Sequence, residues 1–256
     1  MLLVRGTRLP AAVGNGFIVV FDDITHLLQA QRDAAWGEVA RRPAHEIKNP
    51  LTPIQLSAER LEHKLADKLE SHDAEMLKRA TGTIVNQVAA LKKMVDAFSE
   101  YARTPKLNLQ KLKLNNLVLE VLTLYENSAC RITPALAPDL PEIEGDTTLL
   151  RQVIHNLLRN AQDAVAETSA PEIILQTSSD QHWQRLAIRD NGGGFPEHLM
   201  SRLFEPYVTT KPKGTGLGLA IVKKIVEEHN GKMLIENLQH GACVSVLLPC
   251  SGRLNG

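Results

Sequence analysis

Between His26 and Arg103 the sequence holds only two glycines, Gly37 and Gly82, while its apolar residues recur at steps of three and four. That period belongs to long α-helices rather than strands. In the later half, Leu77, Thr81, Ile84, Val88, Leu91, Val95 and Phe98 keep an unbroken heptad rhythm. In the earlier half, Trp36, Ala40, Pro43, Ile47, Leu51, Ile54, Ala58, Leu61 and Leu65 do the same, with one slip near Pro50. The polar run from Asp67 to His72 is the turn between them. Each helix therefore carries one narrow apolar seam, which a single partner helix covers poorly. The pattern predicts a helical hairpin that pairs with a second copy into a four-helix bundle, and hence a homodimer.

The flanks read differently. Residues 1–28 carry two β-like runs, LLVRG and GFIVVFDDIT, joined by a polar stretch. Two strands alone make no stable domain, so they read as the tail of a larger β-rich module or, equally well, as a free-standing hairpin that packs on the rest. Thr104-Pro105 ends the second helix, because the residue before proline is pushed out of the α region, and a domain boundary is placed there. Beyond it helices are predicted near 115–127, 146–167 and 216–229, the last stopped by Asn230-Gly231. Strands are predicted near 131–136, 172–177, 185–190, 233–236 and 243–248. This mixture predicts an α+β sandwich, giving a chain that is α, then α+β.

Composition narrows the function. The 256 residues hold 29 Lys plus Arg against 29 Asp plus Glu, without the basic excess of a nucleic-acid binder, so no nucleic acid is expected as partner. The longest apolar run, around Phe17–Phe21, falls far short of the roughly 20 residues of a membrane span, so this stretch is expected to make no membrane contact. The cysteines Cys130, Cys243 and Cys250 form no CxxC pair, which argues against a disulfide framework or zinc site and for a reducing, cytoplasmic setting.

Four constellations carry chemistry. The first is Ala44-His45-Glu46-Ile47-Lys48-Asn49-Pro50. His45 stands about 200 degrees of helical rotation from the seam residues Pro43 and Ile47, so its ring is expected to face solvent. Glu46 adjoins it as a carboxylate able to hold one imidazole proton and leave the other nitrogen nucleophilic. A zinc-protease HExxH is excluded, because Asn49 stands at the second zinc-ligand position. The second constellation places Asn156, Asn160 and Asp163 at i, i+4 and i+7, three oxygen-bearing side chains on one helix face that suit Mg²⁺. Taken alone, that spacing fits a solvated helix face equally well.

The third, Asp190-Asn191-Gly192-Gly193-Gly194, closes a predicted strand. Its glycines let backbone approach a planar ligand, and Asp190 can accept from an exocyclic amine; a ligand-free tight loop is the plain alternative. The fourth, Lys213-Gly214-Thr215-Gly216-Leu217-Gly218, opens a helix whose freed N–H groups make an anion site. It matches neither a Walker A nor a Rossmann fingerprint. The long stretch between Phe195 and Gly214 has the character of a lid.

Together these residues resemble the sensor histidine kinases of two-component systems. AHEIKNP is similar to the family's H box, NLLRNAQDA to its N box, DNGGG to its G1 box, LFEPYVTTK to its F box and GTGLGLAI to its G2 box, in the family's order. The resemblance covers about residues 30–250. NPLTPIQLSAERL, preceded by WGEVARR, most resembles the NtrY-like nitrogen-regulation branch, and FDDIT resembles the last strand of a PAS sensor domain.

The resemblance implies a PAS-like remnant over 1–28 and a dimerisation and phosphotransfer hairpin over 29–104. It implies a Bergerat-type α/β sandwich that binds ATP over 105–256. It makes His45 the phosphoacceptor, Glu46 the adjacent base and Asn49 the amide of an E-x-x-N phosphatase pattern. Asn160 becomes the Mg²⁺ ligand beside Asn156 and Asp163, and Asp190 the adenine reader beside Gly192 and Gly194. Gly214, Thr215, Gly216, Leu217 and Gly218 line the phosphates, and Thr209, Thr210 and Lys211 belong to the lid. The implied cofactors are ATP and Mg²⁺. The implied partners are a second copy and the receiver domain of a response regulator, with the full-length parent anchored in a bacterial inner membrane. Chaperone-type relatives have a water-activating glutamate where Asn156 stands, and an amide cannot act as that base. One departure is Pro43, at a seam position where the family usually has an aliphatic residue; an ATP-binding dimeric scaffold with impaired kinase activity is the alternative it opens.

Overall fold

The structure is a computed structural model that describes residues 2–8, 16–23, 47–102, 107–126, 128, 130–211 and 214–250. The expectations for Trp36, Ala40, Pro43, His45 and Glu46 lie outside these residues. The chain divides between Thr104 and Pro105 into two compact units.

In the first unit, β1 (Leu2–Arg8) and β2 (Phe17–Asp23) form an antiparallel hairpin. Helix α1 (described over 47–65) runs through Pro50 and Pro53, and a 3₁₀ turn at Ala66–Lys68 leads to α2 (Ser71–Ala102). The single seam expected for each helix is corrected to two stripes. Leu51, Ala58, Thr81, Val88 and Val95 are buried, whereas Ile47, Ile54, Leu61, Ile84 and Leu91 are exposed. Both sets repeat every seven residues, and the reason is geometric. A three-residue step turns about 300 degrees, so alternate members of a 3–4 pattern diverge by tens of degrees and one antiparallel partner meets only one set. Polar pairs punctuate the inner stripe. Lys48 pairs with Asp96, Lys92 Nζ donates to Gln55 Oε1 at 2.8 Å, and the Thr81 hydroxyl donates to Glu62 Oε2 at 2.8 Å.

The second unit is built on a five-stranded sheet of order β4-β6-β7-β9-β8, comprising β4 (Arg131–Leu136), β6 (Glu172–Ser179), β7 (Trp183–Asp190), β9 (Ala242–Pro249) and β8 (Lys232–Asn237). Only β4–β6 is parallel. Helices α3 (Leu114–Leu122), α4 (Thr147–Val165) and α5 (Gly218–Glu228) supply the covering layer: α4 meets β6 and β7, α5 meets β8 and β9, and α4 packs on both other helices. The core joins Val118, Val121, Leu157, Leu158, Ile173, Leu175, Ile188, Val222 and Val226. Two short strands, β3 (Gln110–Leu112) and β5 (Ile143–Gly145), pair antiparallel and were not foreseen, since three residues are too few for an alternation to register. The helix expected over 115–127 ends at Leu122 and tightens into a 3₁₀ turn at Thr123–Tyr125. At the start of α4, Asp146 caps the helix, accepting from Thr148 N at 2.9 Å and Leu149 N at 3.1 Å. Buried His229, at the end of α5, accepts from Asp146 N through Nε2 at 2.9 Å, so the two helix ends are tied together.

Candidate functional site

The site grows from α4. Leu150, Val153, Ile154, Leu157, Leu158, Ala161 and Val165 are buried, which fixes the rotation of the helix and leaves Asn156, Asn160 and Asp163 on another flank. Lys211 Nζ lies 3.3 Å from Asn160 Oδ1 and 2.8 Å from Asp163 Oδ2, so these oxygens converge on one cation-sized point. Asn156 Nδ2 is buried without a partner; among the described residues only Gln184 Oε1 shares that condition. A buried unpaired donor costs about 1–3 kcal/mol, which a ligand oxygen repays.

Asp190 ends β7 at 9% exposure, and its Oδ1 accepts from Gly192 N at 3.0 Å. Burial pushes this carboxyl above the usual carboxylate range, held back by N–H donation from Gly192 and Ala242 and by the Lys211 charge. The glycines after it were expected to admit a ligand, but the structure gives two of them other reasons. A Cβ on Gly192 would stand 2.3 Å from the Ala164 carbonyl oxygen, so this residue lets the loop pack on α4. Gly194 has φ 71° and backs onto Asn237 and Gly241, while Gly193 faces open space.

The stretch between Phe195 and Gly214 opens with a 3₁₀ segment, Glu197–Arg202. Farther on, Tyr207 N donates to Gly216 O at 3.1 Å. Gly216 has φ 67°, and a Cβ there would stand 2.5 Å from the Tyr207 carbonyl carbon, so this glycine serves the lid's docking. Thr209 Oγ1 accepts from Lys211 N at 3.1 Å, Gly214 N donates to Lys211 O at 3.0 Å, and Thr210 is exposed. Thr215 Oγ1 accepts from Leu217 N at 3.4 Å. Leu217 is wholly buried, so its side chain belongs to the core. Gly218 opens α5 without a side-chain cap, and Asn160 Nδ2 lies 3.7 Å from the position of an added Cβ. The structure thus gathers Asn160, Asp163, Asp190, Lys211 and Gly218 around α4. Asn49 is exposed on α1 in the other unit, and His45 and Glu46 lie outside the described residues.

Two residues outside every motif also shape the site. Asn237, ending β8, accepts from Phe195 N at 2.8 Å and donates to Phe195 O at 2.7 Å. Gly241 backs onto the Asp190 carbonyl. In the sequence Asn237-Leu238-Gln239-His240-Gly241 signals a hairpin turn and nothing more. The donor set fits Mg·ATP: hard oxygens on α4, an orphaned buried amide, a buried carboxylate and an uncapped helix start.

Comparison with known proteins agrees with this chemistry. Residues 35–105 match the His Kinase A (phospho-acceptor) domain, and residues 145–252 match the histidine kinase-, DNA gyrase B-, and HSP90-like ATPases. The nitrogen regulation protein NtrY of Azorhizobium caulinodans is 41% identical over 89% of this chain, which spans 30% of that protein's length. In structure, histidine kinase ThkA in complex with the response regulator protein TrrA matches at TM-score 0.63 and 27% identity, over 98% of this chain and 76% of that one. Full-length ShkA in complex with AMPPNP matches at TM-score 0.65 and 25% identity, over 84% of this chain and 46% of that one. Among the described residues no helix is long and apolar enough to cross a membrane.

Proposed function

The chain belongs to the sensor histidine kinases, on their NtrY-like branch, and from that premise we propose that it phosphorylates itself on His45 from ATP and passes the phosphoryl group to an aspartate of a response regulator's receiver domain. The orphaned Asn156 Nδ2 carries the reading of the nucleotide site: a folded chain leaves this buried donor unpaired, on the same helix as the two oxygens that converge on Lys211, and a phosphate-bearing ligand would complete it. Asp190 accepts from the exocyclic amine of adenine, and the α5 N-terminus at Gly218 receives phosphate oxygens. Asn160, with Asp163 beside it, would hold Mg²⁺, which when bound neutralises charge on the phosphates. Lys211 then trades the α4 oxygens for a phosphate oxygen.

In the transfer, an imidazole nitrogen of His45 attacks the γ-phosphorus. The P–N bond forms as the bond to the ADP oxygen breaks, and Glu46 holds the proton on the other ring nitrogen. The product phosphoramidate then gives its phosphoryl group to the receiver carboxylate. Asn156 is an amide and cannot activate water, so ATP is kept for transfer rather than hydrolysed. Asn49, exposed on α1 four residues after His45 in the sequence, holds the water that later attacks the regulator's phospho-aspartate. The outer stripe Ile47, Ile54, Leu61, Ile84 and Leu91 is the surface that pairs two copies. This stretch works in the cytoplasm, and its parent is anchored in the inner membrane.

The test is incubation with γ-labelled ATP and Mg²⁺, followed by addition of purified receiver domains. Label that enters the chain and then moves to one receiver is expected. Steady hydrolysis without a labelled protein would overturn the reading.

A further inference from the structure

The glycine loop that follows Asp190 is held at both ends by asparagine side chains. At its start Asn191 Oδ1 accepts from Glu172 N at 2.9 Å and Asn191 Nδ2 donates to Ala170 O at 2.7 Å, fastening it to the lead-in of β6. At its far end Asn237 takes both backbone groups of Phe195, its Oδ1 accepting the N–H at 2.8 Å and its Nδ2 donating to the carbonyl at 2.7 Å. The same turn presses inward. A Cβ on Gly241 would stand 1.9 Å from the Asp190 carbonyl oxygen, and one on Gly194 would stand 3.0 Å from Asn237 Oδ1. Leu238 N closes the turn on Gly241 O at 3.0 Å. A side-chain amide that copies the donor and acceptor of a strand neighbour extends the sheet's pairing by one step, into a loop too irregular to pair by backbone alone.

We infer that Asn237 is a positioning residue for adenine recognition: with Gly241 it clamps the loop from the β8–β9 turn and so sets where the Asp190 carboxylate meets the base. The inference rests on the reading of Asp190 as the adenine acceptor and goes beyond it, since Asn237 lies 47 residues after Asp190 and in none of the nucleotide motifs. Its consequence is selective. A loosened clamp misplaces Asp190 but leaves the phosphate-facing groups on α4 and α5 where they are. Adenosine, which has no phosphates, and ATP must therefore weaken by the same factor.

The experiment is calorimetric titration of the full chain and its Asn237→Leu variant with adenosine and with Mg·ATP, well below the melting temperature of each. Loss of two hydrogen bonds to the loop predicts about tenfold weaker binding of both ligands. Asn237→Asp keeps the acceptor for Phe195 N–H and predicts a smaller loss, again equal for the two; it carries the test should Asn237→Leu fail to fold. Unchanged affinity in the variants, or a loss confined to ATP, overturns the inference while leaving the nucleotide site in place. An unaltered chain that binds neither ligand overturns the nucleotide reading and this inference with it.

Discussion

At the scale of single residues, the adenine contact proposed for Asp190 sets function against stability. Burial raises its pKa above that of an unfolded aspartate, so the folded chain binds the proton more tightly. Stability therefore falls as pH rises through the unfolded value toward the folded one, and at neutral pH the ionised group is a net cost. Asp190→Asn should melt at a higher temperature than the parent at pH 7 and lose nucleotide binding, as scanning calorimetry and titration will show. An Asp190→Asn variant that melts lower and binds ATP normally would refute both halves. The glycines offer a second contrast. Gly216→Ala places a side chain at φ 67° against the Tyr207 backbone, and the left-handed conformation alone costs about 1 kcal/mol or more, so a lower melting temperature is expected. Gly218→Ala meets only ordinary contact with Asn160 and sits at the start of a helix, so its melting temperature should hold or rise while Mg·ATP affinity drops. Equal melting behaviour in the two variants would show that these glycines do not divide the work this way.

At the scale of elements, the sequence made most of the second unit legible and half of the first. The α4 and α5 helices, β4 and the antiparallel strands of the sheet are plain in the sequence because each has a regular period or a turn residue at its end, such as Asn230-Gly231. Strands β3 and β5 escape because three residues show no alternation. Within the site, spacing puts the α4 oxygens on one helix face and Asp190 at a strand end, but only the resemblance to the histidine kinases attaches a nucleotide to them. Asn237 is not, because its role arises from a contact 42 residues away in the chain, which no local pattern encodes. The helical hairpin teaches a different lesson. Period identifies apolar positions but not their partner, and the heptad positions of α1 and α2 separate into an inner stripe at Leu51, Ala58, Val88 and Val95 and an outer one at Ile54, Leu61, Ile84 and Leu91. Charges on the outer stripe should dissociate the proposed dimer: Ile54→Glu with Leu61→Glu is expected to sediment as a monomer, with nucleotide affinity unaltered. A double variant that stays dimeric would place the interface elsewhere. Helix caps obey the same logic of local cause. Asp146 loses some solvation by burial, yet N–H donation from Asn108, Leu149 and Thr148 holds its pKa below the ordinary value. The stability it confers is present above the unfolded pKa and is lost as pH falls through the folded one. Asp146→Ala should cost about 1 kcal/mol at pH 7, and progressively less as the pH falls below the ordinary aspartate value through the lowered folded one.

At the scale of the whole molecule, the proposed reaction draws on residues of both units. The unit after Thr104 holds the described groups gathered around α4, and the unit before it contains His45 in sequence and carries Asn49 on α1. That division explains why Asn49→Ala should abolish phosphatase action on a phosphorylated regulator while autophosphorylation continues, a result that parallel assays of both activities can check. It also fixes where the product must appear. The measurement that bears most directly on the account is the location and chemistry of the phosphate after incubation of the intact chain with Mg·ATP, read by mass spectrometry of peptides prepared at alkaline pH. The account predicts one phosphoryl group on the peptide containing His45, lost in acid and stable in alkali, and none in His45→Gln. Phosphate that persists in His45→Gln, or that survives acid, would contradict it.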